Sequence, residues 1–223
     1  MKKNIKLKSM AGFGFASLVF ILICFFLPLT IITQNRVYFL QKFSDYQIYN
    51  NFSQDQDTVN SEFYKIQDYL KLKNTGIVSE FFSNEDLIHL NDVRNIYISV
   101  YIILIISITY LLAYLYWAYK KQQLVLKIYR ISKNALIILI VLTLLLYPVI
   151  NANFPAFFQL FHQILFAQGY WQLDLQSSHL IKYFLNNIFS DIFNLLGILA
   201  LILPFITFIF SIILLKVRIH ESK

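Results

Sequence analysis

The sequence predicts an all-α membrane protein with four transmembrane helices, and three observations point there. Hydrophobic residues make up 58% of the 223 positions, with only five Gly and four Pro, and mean hydropathy is +0.59; these are values of an integral membrane protein, not of a water-soluble domain. Four runs are long enough to cross a hydrocarbon core, which takes about 20 apolar residues. The basic residues, finally, collect in alternate connections, as a multi-pass topology requires.

The runs are roughly 10–33, 96–119, 134–151 and 189–215, within a single membrane domain over 1–223. The first reads as a retained anchor: its two dozen apolar residues exceed a signal-peptide core of about 7 to 15, and no small-residue cleavage site follows. Cys24, the only cysteine, lies in its middle, so a disulfide within the chain and a cysteine-based zinc site are excluded. No Asp, Glu, Lys or Arg lies well inside any span, which argues against a pump or an ion-coupled transporter.

Charge sets the expected orientation. Lys2, Lys3, Lys6 and Lys8 precede the first span; Lys120, Lys121, Lys127, Arg130 and Lys133 fill the second connection; Lys216, Arg218 and Lys223 follow the fourth span. These segments hold twelve of the nineteen basic residues and one acid, Glu221, so both termini are expected in the cytoplasm. Residues 34–95 then form an extracellular cap between helices 1 and 2, and 152–188 an outer interfacial helix-loop between helices 3 and 4. The cap carries six basic and nine acidic residues, so the net charge of +7 reflects topology and implies no nucleic acid partner.

Within the cap, Asn60 or Ser61 caps a short helix reaching Lys73, with Phe63, Ile66 and Leu70 on one stripe. Arg36 to Asn51 is rich in Tyr and Phe with weak alternation, which leaves strand or irregular structure open. Ser83-Asn84-Glu85-Asp86 places an N-cap three residues before an acid, starting a helix that runs into the second span. Past the third span, Pro155 suits the first turn of a helix whose Phe158, Phe161, Leu165 and Phe166 give a nearly all-round apolar surface at the interface.

The candidate chemistry rests on histidines at the outer boundary. Glu85, Asp86 and Asp92 lie three or four residues from His89, so a carboxylate there can take its ring N–H; the same pairing equally satisfies a structural histidine. His162 stands among aromatics, where an imidazole is costly to bury without a partner. The aromatics themselves also fit a plain interfacial belt. Asp174 is placed to orient one of the histidines or to serve as a turn residue. His179 and the cytoplasmic His220 carry weaker signals, and the outer histidines are not at metal-ligand spacing.

Two blocks sharpen this reading. Ser83-Asn84-Glu85-Asp86-Leu87-Ile88-His89-Leu90-Asn91-Asp92-Val93 stands directly before span two, and Phe161-His162-Gln163-Ile164-Leu165-Phe166 with Trp171-Gln172-Leu173-Asp174 and Leu180-Ile181 follows span three. In that order and with that layout the chain resembles the lipoprotein intramolecular transacylase family, Lit, of Gram-positive-type bacteria. The resemblance implies an enzyme of the cell membrane that moves the sn-2 acyl chain of a diacylglyceryl-modified cysteine onto that cysteine's own amino group, giving a lyso-form lipoprotein.

It further implies a catalytic pair, His89 and His162; on the spacing above, Glu85, Asp92 or Asp174 would orient them or relay protons. Phe158, Phe161, Phe166, Tyr170 and Trp171 would line the substrate pocket. The implied partners are diacylglyceryl-modified lipoproteins and membrane lipid, with no cofactor and no metal. The residues agree: Cys24 is out of reach and no Ser sits in a nucleophile elbow, yet an intramolecular transfer needs no enzyme nucleophile. Two readings compete with it. Another lipid acyltransferase or hydrolase could use the same pair, the hydrolase releasing free fatty acid, and a non-enzymatic four-span partner protein would tolerate Gln or Asn at both histidines.

Overall fold

The computed structural model describes residues 2–73, 76, 80–166, 169–174 and 176–221. Ala167 and Gln168 of the His162 segment, and Lys223 of the basic tail, lie outside them. The described residues form eight α-helices and no strand: α1 (Lys2–Thr33), α2 (Arg36–Asp45), α3 (Gln56–Leu70), α4 (Asn84–Lys120), α5 (Leu124–Ala152), α6 (Phe154–Leu165), α7 (His179–Tyr183) and α8 (Asn186–Glu221). Four segments are long and apolar enough to cross a membrane: Phe13–Thr33 of α1, all of α4 and α5, and Asn186–Val217 of α8.

The chain divides into two compact units. One comprises Met1–Leu29, Tyr101–Pro148 and Leu195–Lys223. Its core sets Ala16, Phe20 and Cys24 of α1 against Ile131, Ala135 and Leu139 of α5. Both triplets step by four along their helices, so each is a single ridge, and the alanines let the backbones approach. The opposite faces leave Leu18, Ile105, Ile106, Leu112, Ile138 and Phe210 exposed, which is where hydrocarbon takes the place of a protein partner. A three-residue turn joins α4 to α5, with Gln122 in the left-handed region at φ +56°.

The other unit comprises Thr30–Val100 and Val149–Asn194. Here Arg36–Asp45 form α2 and Ile48–Asn51 a 3-10 turn, joined by Tyr46-Gln47, so the stretch is mostly helical and neither strand nor wholly irregular. Local chemistry explains why: the Asn35 side chain caps α2 by accepting from the Tyr38 N–H at 3.1 Å. Phe39 and Phe43 then share a helical face and pack on Phe63 of α3 at ring-centroid distances of 5.0 and 4.8 Å. The cap of α3 is Asp55, not Asn60 or Ser61. Its carboxylate accepts from both the backbone N–H and the hydroxyl of Thr58, at 2.9 and 2.8 Å, so the helix starts earlier than the apolar stripe suggests and ends at Leu70.

Tyr183 of α7 closes this core. Fully buried, it packs against Phe52 at 4.7 Å and donates its hydroxyl to the Val59 carbonyl at 2.6 Å. A buried phenol without that acceptor would cost roughly 1–3 kcal/mol.

Candidate active site

The first turn of α4 is built by reciprocal capping. The Ser83 hydroxyl accepts from the Asp86 N–H and an Asp86 oxygen accepts from the Ser83 N–H, each at 3.1 Å. Asp86 is fully buried and does more than cap. It accepts from the Ser178 hydroxyl and, at 3.2 Å, from the His179 N–H, so one carboxylate joins the start of α4 to the start of α7. His89 follows Asp86 by one helical turn.

His162 reaches the same place from α6. The Asn153 side chain accepts from the Ala156 N–H at 3.2 Å, Pro155 occupies the first turn, and eight residues beyond Phe154 the imidazole points into the unit's interior. The two histidines, both buried, lie with ring centroids 5.9 Å apart and planes inclined by 34°. Each ring is then within reach of one small substrate group.

Their hydrogen bonding differs. His162 Nδ1–H donates to the Phe158 carbonyl one turn back at 2.8 Å, which in a neutral ring leaves Nε2 as the free lone pair. Burial lowers the His162 pKa below the usual 6.5, against a smaller upward push from that bond, so the ring is neutral at neutral pH. His89 Nδ1 is buried and has no hydrogen-bond partner among the described residues.

The surroundings are aromatic. Phe158, Phe166, Trp171 and Phe161 stand 4.1, 5.3, 5.2 and 5.4 Å from the His162 ring, and Phe166 also lies 4.8 Å from His89. Tyr170 is 44% exposed and makes no ring contact with either histidine among the described residues. Phe189 of α8, which sequence reasoning passed over as part of a span, backs Phe158 at 4.8 Å.

The orienting carboxylates are placed otherwise than expected. Glu85 is exposed and Asp92 half-buried, and neither hydrogen-bonds His89. Asp174 is exposed and shapes its own turn, its carboxylate accepting from the Gln176 N–H at 3.3 Å and its carbonyl from the Ser178 N–H at 2.8 Å. The one acid that enters the interior here, Asp86, is occupied by α7. His179 is held through its backbone by Asp86 and through its ring by the Phe81 carbonyl, a structural setting. Ser178 is the site residue sequence reasoning misses; its signal is a serine cap directly before His179-Leu180-Ile181.

Comparisons with known proteins agree on one family. The sequence profile of lipoprotein intramolecular transacylase Lit matches residues 13–189. Among solved structures, the membrane-integral lipoprotein intramolecular transacylase Lit from Bacillus cereus superposes with a TM-score of 0.83 at 18% identity, covering 96% of this chain and 98% of that one. Two single-histidine variants of that protein, to alanine and to arginine, superpose with TM-scores of 0.80 and 0.75 at 18% and 19% identity, the first over 96% of this chain and 98% of that one, the second over 100% and 99%. No curated protein sequence matches. At this identity the superpositions establish the fold, an all-helical membrane protein; the profile, which spans more than three quarters of the sequence, establishes that the chain belongs to the lipoprotein intramolecular transacylase Lit family.

Proposed function

We propose that this protein is a lipoprotein intramolecular transacylase that moves the sn-2 acyl chain of a diacylglyceryl-cysteine lipoprotein to the α-amine of the same cysteine, at the outer leaflet. The observation that carries the reading is the approach of His89 and His162 to 5.9 Å within an aromatic enclosure of a chain that belongs to the Lit family. The positive-inside distribution supports the outward-facing site.

The reaction balances within the substrate. The neutral amine attacks the sn-2 ester carbonyl, the C–N bond forms as the C–O bond to glycerol breaks, and one proton passes from nitrogen to the leaving glyceryl oxygen. His162 is the base: its Nδ1–H is engaged by Phe158, so Nε2 takes the proton and returns it. His89, whose buried Nδ1 has no partner among the described residues, donates to the oxyanion or shares the relay. Confinement of amine and ester is worth about 7–11 kcal/mol when the groups are well oriented. Proton transfer adds roughly 100-fold to 10,000-fold.

The test is mass spectrometry of a reporter lipoprotein produced with His89→Ala or with His162→Ala. Each variant should lower the lyso product by roughly 100-fold or more. Undiminished lyso product from either variant removes that histidine from the mechanism, and free fatty acid in its place identifies a hydrolase.

A further inference from the structure

A basic cluster at the end of α3 carries chemistry that the acyl-transfer reading does not use. The apolar run of α1 ends at Thr33, and the last turn of α3 is tied to that point: the Gln67 side-chain amide donates to the Thr33 carbonyl and the Lys71 ammonium to the Gln34 carbonyl, both at 3.2 Å. A chain leaving hydrocarbon meets the lipid headgroups there. Arg36, Lys71 and Lys73 converge around one acid, Asp68, which lies 3.0 Å from the Arg36 guanidinium and 3.7 Å from the Lys73 ammonium. Two cations thus pair with one carboxylate, and Lys71 lies within its electrostatic reach. Burial first, and then the Arg36 charge and that of Lys73, holds Lys71 below the usual lysine range against the pull of Asp68.

The backbone presents this cluster in an unusual way. The Lys73 N–H bonds back to the Asp68 carbonyl at 3.1 Å and the Leu72 N–H to the Tyr69 carbonyl at 3.2 Å, the two bonds of a Schellman motif. Its left-handed position, normally glycine, is Leu72 at φ +62°. A branched side chain in that region is strained, and here the strain buries nothing, because Leu72 is 42% exposed between the two lysines. Val37, beside Arg36, is 74% exposed. Cations interleaved with outward apolar side chains, at the level where a span ends, match a phosphate with acyl chains beneath it.

We propose that Arg36, Lys71 and Lys73 bind the phosphodiester of an anionic phospholipid, with Leu72 and Val37 set into the layer under the headgroup. This site is independent of the acyl-transfer reading, since none of its residues touches His89 or His162. The experiment is native mass spectrometry of the full chain in detergent with phosphatidylglycerol, against phosphatidylcholine and against inorganic phosphate as competitor. The unmodified protein should retain phosphatidylglycerol in preference to phosphatidylcholine. Lys71→Gln/Lys73→Gln should lose that preference by roughly five-fold for each lysine removed, while Lys65→Gln, on the exposed side of α3, keeps it. Lys73→Gln alone, at a 63% exposed side chain, gives the single step if the double variant does not fold. Equal retention of the two lipids, an unchanged preference in the lysine variants, or displacement of the lipid by inorganic phosphate overturns the proposal.

Discussion

In the proposed mechanism, burial sets the working range of His162. A base must be neutral to accept a proton, and the ring's depressed pKa keeps it so to lower pH than a free histidine. The sign is fixed by the charged form being the one that burial disfavours: activity is held above the depressed value and lost as pH falls through it. The acid limb of a pH–rate profile for lyso-product formation should therefore have its midpoint below the usual 6.5. With two imidazoles 5.9 Å apart, that midpoint belongs to the pair and not to one ring. A midpoint at or above the ordinary histidine value would contradict a buried neutral base.

At the scale of elements, the first turn of α4 holds the site together. Asp86 satisfies the Ser83 N–H, the Ser178 hydroxyl and the His179 N–H at once, and all three lose their acceptor in Asp86→Ala. Hydrogen bonds to a charged group are worth about 1.5–3 kcal/mol each, and partial rehydration offsets some of the loss, so the substitution should cost about 3 kcal/mol. A lowered thermal midpoint in detergent, with faster hydrogen exchange at the start of α4 and through α7, checks this. Because His89 stands on the next turn, acyl transfer should fall along with stability. Glu85→Ala, on the exposed face of the same turn, should leave the stability within about 0.5 kcal/mol of the parent.

Topology is the prediction that belongs to the whole molecule. A single cysteine placed at Lys65, exposed in the cap, should react with a membrane-impermeant maleimide added to intact cells, whereas one placed at Lys121, in the turn between α4 and α5, should react only after the membrane is opened. Cys24 is fully buried and gives no background. Labelling of Lys121→Cys from outside would reverse the orientation and put the histidine pair on the cytoplasmic side. The proposed acyl transfer depends on this, since the amine and ester it joins must reach the leaflet where the rings lie.

What the sequence determined by itself is what short-range rules control. Apolar length marked four helices because a bilayer tolerates no unsatisfied backbone. Ser83 and Asp86 announced the start of α4 because a capping box is complete within four residues, and Pro155 did the same for α6. The cap was less legible: Arg36 to Asn51 alternates weakly, and only the packing of Phe39 and Phe43 on Phe63 favours helix over strand there. Tertiary structure alone chose the partners. Three carboxylates lie at helical spacing from His89, yet the one of them that turns inward bonds Ser178, 92 residues away, and the His89 Nδ1 has no partner among the described residues. The meeting of His89 with His162 is a decision of the same kind, because helical periodicity fixes which face a side chain occupies but not which face of a distant helix it meets.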